Sequence, residues 1–142
     1  MTIIKSTHGN VFGGYTDKAW ISDNQYYSDP NAFLFSLVNK YGKPFKVKVS
    51  LNDDEAIYSN GEFGPTFGYG HDIKITSKSN LNWDSYSNFG YTYKHSDYLI
   101  GTKEAQSIMA GSYHFQVADI EVFTQINFPI TLNWININKK VE

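Results

Sequence analysis

A chain of 142 residues with a formal net charge of −2 fits one domain, and its length supports a core that needs no metal or disulfide to fold. The charge balance gives no clustered Lys and Arg for nucleic acid or an anionic membrane. The absence of cysteine excludes disulfides, thiol catalysis, thiol redox sensing and cysteine-bound zinc.

Alternation of period two dominates the chain, and aromatic residues, at 17%, suit pleated, half-buried surfaces. Val11, Gly13 and Tyr15 alternate with Phe12, Gly14 and Thr16. Ala32 to Leu37 is nearly all apolar, as in a strand covered on both faces. From Phe45 to Leu51 the pattern predicts Phe45, Val47, Val49 and Leu51 inward, with Lys46, Lys48 and Ser50 in water. Turn residues punctuate at Asp29-Pro30-Asn31, Tyr41 to Pro44, Asn52 to Asp54, Asn60-Gly61 and Gly64-Pro65.

Residues 64 to 76 read GPTFGYGHDIKIT. Taken as one strand over 66 to 76, one face carries Phe67, Tyr69, His71, Ile73 and Ile75. The other carries Thr66, Gly68, Gly70, Asp72, Lys74 and Thr76. Paired glycines on one face imply close approach of a backbone or ring, or a bend. His71 has two readings: a hydrogen-bonded core histidine, or a ligand and acid/base partner of Asp72. Adjacent strand residues point to opposite faces, which argues against the second. The segment lacks a Walker lysine and the ligand spacing of an EF-hand.

Residues 77 to 88 are rich in Ser and Asn and predict a surface loop with Trp83 as its buried anchor. His95 and Asp97 have a spacing that suits a metal ion, or a hydrated loop between Tyr93 and Tyr98. A short helix is predicted, capped by Thr102, running from Lys103 to Ala110 and ended by Gly111. Phe115 and Val117 keep one parity while Ile120 and Val122 take the other, which predicts a bulge or break at Ala118-Asp119. Glu121 faces away from its apolar neighbours, either into water or toward a partner. Ile126, Phe128, Ile130, Leu132 and Trp134 alternate with Asn127, Pro129, Thr131 and Asn133. This tail reads as an edge strand or as an extension without fixed fold. The fold class expected is mainly β, a two-layer antiparallel sandwich with few short helices.

An ordered set of segments carries a family resemblance: Thr2 to Thr7, Gly9 to Thr16, Trp20, Asp29 to Leu37, Ala56-Ile57-Tyr58, Gly64 to Ile73, and Ala110 to Phe123. In order and spacing they resemble the TLDc domain, found in oxidation-resistance proteins and attached to BTB or kelch modules in some fungi and protists. The positions of interest are Gly13, Gly14, Trp20, Gly64, Pro65, Phe67, Gly68, Gly70, His71, Asp72, Gly111, Phe115, Glu121 and Phe123. The resemblance implies a β-sandwich with helices at its edges, protection from oxidative stress, and binding to vacuolar ATPase subunits. It carries over no catalytic residue, cofactor or metal ligand. It also implies a helix and strand ahead of Thr2 to Lys5, so residues 1 to 125 read as an N-terminally incomplete domain and 126 to 142 as an extension that covers apolar surface left open.

Three functions are weighed. The first is a non-catalytic TLDc-type module that binds protein partners in the cytoplasm, with no nucleic acid, membrane insertion or small-molecule ligand. The second is a carbohydrate-binding sandwich, since eleven tyrosines offer rings for sugar stacking. The third is a hydrolase drawing on His8, His71, His95, His114, Glu62, Asp72 or Glu121. No nucleophile elbow, zinc motif or spaced carboxylate pair unites these groups.

Overall fold

A computed structural model describes residues 1–50 and 54–125. In chain order these form β1 (Thr2–Ser6), β2 (Val11–Tyr15), β3 (Gln25–Tyr27), β4 (Phe33–Val38), β5 (Phe45–Lys48), β6 (Ile57–Ser59), β7 (Phe63–Phe67), β8 (Ile73–Thr76), β9 (Ser85–Tyr86), α1 (Lys103–Ile108), β10 (His114–Phe115) and β11 (Val117–Val122). The strands make two sheets, one ordered β11-β1-β2-β4-β5 and the other β10-β9-β8-β7-β6-β3. All their pairings are antiparallel. This is the mainly β, two-layer arrangement that period-two patterning predicts.

The core forms where the inner faces meet. Ile4, Phe12 and Leu34 come from the first sheet, Ile57, Phe67, Ile73 and Phe115 from the second, and all are fully buried. Phe12 meets Phe115 edge to face at 5.5 Å, and Trp20 meets Phe67 in the same way at 5.5 Å, the geometry that aromatic quadrupoles prefer. Gly13 and Gly14 are squeezed from both sides. A Cβ at Gly14 would lie 2.6 Å from the Phe67 ring on the inner face. One at Gly13 would lie 2.9 Å from the Phe35 ring on the outer face.

The β4–β5 hairpin follows its pattern, with Phe45 and Val47 packed on the core and Lys46 and Lys48 exposed; Leu51 lies outside the described residues. Leu34 and Phe35 are buried, but Leu37 and Val38, at a register shift in the pairing with β2, are about half exposed, so burial on both faces stops short of the end of β4. The helix is capped as predicted: Thr102 Oγ1 accepts from Ala105 N–H at 3.2 Å. Gly111, at φ +95°, returns its N–H to Ser107 O at 2.8 Å, a left-handed helix stop. The bulge is present too. Lys5 pairs with Asp119 and Ser6 with Val117, leaving Ala118 as the extra residue, beside the point where the chain passes from β10 in one sheet to β11 in the other.

Two expectations are corrected. Residues 66 to 76 are not one strand. β7 ends at Phe67 and β8 begins at Ile73, with Gly68 at φ +84° and His71 at φ +55° turning the chain between them. The alternation misled because Phe67 pairs with Ile73, so odd-numbered residues return to the inner face after the reversal. Trp83 is not a buried anchor: it is 49% exposed and touches His8 edge-on. The segment is held instead by buried Ser85, whose hydroxyl accepts from Thr76 N–H. The alternating tail, 126–142, lies outside the described residues. Among those residues no helix is long and apolar enough to cross a membrane.

Candidate functional site

The hairpin turn at 68–72 sends its two ionisable residues to opposite sides. Asp72 goes inward and is fully buried. Its carboxylate accepts N–H groups from Gly90 (3.0 Å), Tyr91 (3.0 Å), Thr92 (2.9 Å) and Tyr93 (3.2 Å). Four successive amides thus converge on one side chain, a backbone nest closed around an internal anion. Burial pushes the Asp72 pKa up to about 6, against the pull of those four bonds toward the ionised form. The same loop is tied down elsewhere: Tyr69 N–H donates to Thr92 Oγ1, Ser50 Oγ donates to Thr92 O, and Tyr93 Oη donates to Ala56 O. Asp72 therefore organises one end of the sandwich and, fully buried, presents no surface to an outside molecule.

The glycines of this turn make room for that arrangement. A Cβ at Gly68 would sit 2.1 Å from Asp72 Oδ1, and one at Gly70 would sit 2.6 Å from the Tyr91 ring. Close approach is the reading the paired glycines suggested, and both a carboxylate and a ring supply it.

His71 goes outward, onto the solvent side of the second sheet. Its ring stacks against Tyr26 (6.4 Å) and Tyr58 (5.5 Å) and lies 6.1 Å from Tyr86. Nδ1 is 2.8 Å from the Tyr86 hydroxyl and Nε2 is 3.3 Å from the Tyr26 hydroxyl. Tyr26 Oη donates its own proton to Tyr69 O. The pattern closes if Nε2–H donates to Tyr26 and Nδ1 accepts from Tyr86. Burial, and secondarily the charge of Lys74, lowers the His71 pKa, which favours this neutral ring. Burial raises the Tyr26 and Tyr86 pKa values, so both phenols keep their protons.

The rest of the face continues the theme. Register places Tyr26 beside Tyr58, Lys74 beside Tyr86, and Tyr86 beside His114. Lys74 Nζ lies 3.6 Å from the Phe63 ring centroid and 5.4 Å from that of Tyr86, cation–π geometry. Tyr113 stacks on Tyr86 at 5.4 Å. At the rim Tyr69 and Tyr91 are 48% and 43% exposed, with centroids 5.7 Å apart. The result is a broad platform of phenol and imidazole with one amine embedded in it. Such groups offer large rigid contact area and hydrogen bonding together.

The other residues singled out by sequence are scattered. Gly64 lies against Ile75, Pro65 is half-buried within β7, and Phe115 sits in the core. Glu121 and Phe123 are exposed at the edge of the first sheet, where Phe123 and Met1 exchange backbone hydrogen bonds at 2.7 Å. His8 reaches Ser112, and Glu62 is exposed. His95 packs on Phe45 and Tyr98 and accepts from Asp97 N–H. Among the described residues no three His, Asp or Glu side chains gather as metal ligands would. Sequence reasoning missed Tyr26, Tyr58, Lys74, Tyr86 and Tyr113 as one surface. The available signal was local: Tyr58 between Ile57 and Ser59, and Tyr86 between Ser85 and Ser87, alternate with residues that are buried.

No curated protein matches the chain. The family model described as the TLDc domain matches residues 1–126, and with the two-sheet architecture above, that match places the chain in the TLDc domain family.

Proposed function

We propose that this chain is a non-catalytic TLDc-type module that grips a protein partner in the cytoplasm with the tyrosine- and histidine-rich face of its second sheet. The observation that carries the reading is His71, held between the Tyr86 and Tyr26 hydroxyls at 2.8 and 3.3 Å. It locks several aromatic side chains into one rigid surface, and preordered side chains lose little entropy on docking. A non-catalytic role is supported by the fate of the two groups best suited to chemistry. Asp72 is enclosed by amides, and His71 points to the other side of the sheet among phenols.

The partners that the family suggests are subunits of the vacuolar proton-pumping ATPase, and the cellular role it suggests is oxidative-stress resistance. The test is capture of purified ATPase subunits by the wild-type chain and by a Tyr58→Ala/Tyr86→Ala variant. Wild type retains a subunit, and the variant loses at least about tenfold in affinity, as when two central aromatic anchors are removed. Equal capture by both removes the aromatic face from the interaction. Exposed Tyr69 and Tyr91 keep sugar stacking as a second reading. A glycan array that binds the wild type, alongside failed subunit capture, favours that reading.

A further inference from the structure

The outer face of the first sheet, on the far side of the molecule from His71, has a charge layout of its own. Strand register fixes one continuous row across all five strands: Glu121 beside Ile3, Ile3 beside Gly13, Gly13 beside Phe35, and Phe35 beside Lys46. The row begins with an acid at one sheet edge, passes over apolar groups, and ends with a base at the other. Each flanking row holds one end of this layout: on the acidic side the Asp119 row also carries Lys5 and ends on Val38, and on the basic side the Lys48 row runs through Phe33 to Tyr15. Glu121, Asp119, Lys46 and Lys48 are all exposed. The middle is firm: Phe35 lies across Gly13, Tyr15 stacks on Phe33 at 5.2 Å, and Lys46 Nζ sits 3.9 Å from the Phe33 ring centroid.

The relief is as ordered as the charge. A depression of about 160 Å³ lies on the acidic half, lined by Ile3, Lys5, Val11, Asp119, Ile120 and Glu121. On the basic half Leu37 and Val38 stand 48% and 51% exposed. Val38 occupies the same row as the depression, since Val11 pairs with both Lys5 and Val38; Leu37 sits at the register shift just before it.

A face of this kind is complementary to itself. We propose that it pairs with the same face of a second copy of this chain, about a two-fold axis that runs parallel to the strands near Gly13. That axis brings Glu121 of each copy opposite Lys46 of the other, Ile3 opposite Phe35, and Val38 over the facing depression. A two-fold across the strands sets Lys46 against Lys46 and is disfavoured. Isologous pairing satisfies both edges at once, whereas a wholly acidic or wholly basic partner satisfies only one. Five strands at ~4.8 Å spacing and five residues at ~3.4 Å rise give a footprint of roughly 400 Å² per copy. The two copies together bury roughly 800 Å², less than a stable specific interface, so the dimer is a weak, transient one. Charged edges at the rim make it sensitive to salt.

The experiment is sedimentation of the full chain from about 10 to about 500 µM at low salt, as wild type, Glu121→Lys, Lys46→Glu, and a mixture of the two variants. Circular dichroism confirms that each is folded. Wild type shows concentration-dependent dimer that weakens with salt. Each single reversal, which makes two like-charge contacts per dimer, weakens pairing at least about tenfold. The mixture restores dimer. At one contact the introduced lysine of the first variant faces the introduced glutamate of the second, and at the other the native Glu121 and Lys46 still face each other. Wild type that stays monomeric throughout overturns the proposal, whether another protein or another segment of the chain covers the face. A mixture no tighter than its components overturns it as well. Neither outcome bears on subunit capture through the His71 face.

Discussion

A methyl group added at Gly68 meets Asp72 Oδ1 at 2.1 Å on a backbone with φ +84°, whereas one added at Gly70 meets the Tyr91 ring at 2.6 Å. The two sites look alike in sequence and differ in what has to yield. Asp72 is held by four amides and cannot retreat without breaking them. Tyr91 is 43% exposed, so its ring can rotate away in part, but its Cβ stays 3.0 Å from the added methyl. Gly68→Ala is therefore expected to cost at least about 3 kcal/mol, through strain and a disrupted nest. Gly70→Ala, which adds no positive-φ strain, should cost less, about 1–2 kcal/mol by urea unfolding. Equal losses would show that Asp72 is not the rigid neighbour. Paired glycines were legible in the sequence as a close approach. The nest was not, because Gly90 to Tyr93 offer backbone N–H groups, and a run of amides has no side-chain signature.

Elements were legible where a local rule acts alone. The helix from Lys103 to Ile108 was readable from Thr102 and Gly111, because capping is a contact of near neighbours. The bulge at Ala118 was readable from a change of parity within one strand. The β7–β8 hairpin was misread because its turn keeps odd-numbered residues on the inner face, so a period-two count cannot tell reversal from continuation. Alternation marks Tyr58 and Tyr86 as outward-facing, but their grouping with Tyr26 depends on which strands become neighbours, which no local pattern records. The cap gives an element-scale prediction. Thr102 Oγ1 is the acceptor for Ala105 N–H, and α1 supplies buried Ala105 and Ile108 to the core. Thr102→Ala should lower stability by about 1 kcal/mol, and Thr102→Ser should be close to neutral. The check is the pair of urea midpoints; a neutral Thr102→Ala would mean that packing alone holds the helix.

At the scale of the whole molecule, His71 and Asp72 tie global stability to pH with opposite signs. Asp72 has a folded pKa of about 6 against an ordinary value of 3.8. Between those values the folded chain holds the proton more tightly than the unfolded chain, so this group adds stability as pH falls and withdraws it as pH rises through 6. From pH 7 to pH 5 its contribution is about 1 kcal/mol. The folded His71 pKa lies below 6.5, chiefly through burial and then through Lys74. Its stabilisation is present above 6.5 and is lost as pH falls, because the unfolded ring takes a proton that the folded ring resists. The groups packed against it are Tyr26, Tyr58 and Tyr86, together with the embedded Lys74. Burial keeps the protons on Tyr26 and Tyr86, and that set holds no carboxylate to rescue the charged ring. The two slopes partly cancel in the wild type, and single variants should separate them. On going from pH 7 to pH 5, His71→Gln should gain stability relative to wild type. Asp72→Asn, already less stable by about 2–3 kcal/mol because its amide sets N–H groups against the nest, should lose a further 1 kcal/mol or so relative to wild type. Urea unfolding of the three proteins at the two pH values measures both differences. If the three curves shift in parallel, the titrating groups lie elsewhere and the link between this turn and global stability is wrong.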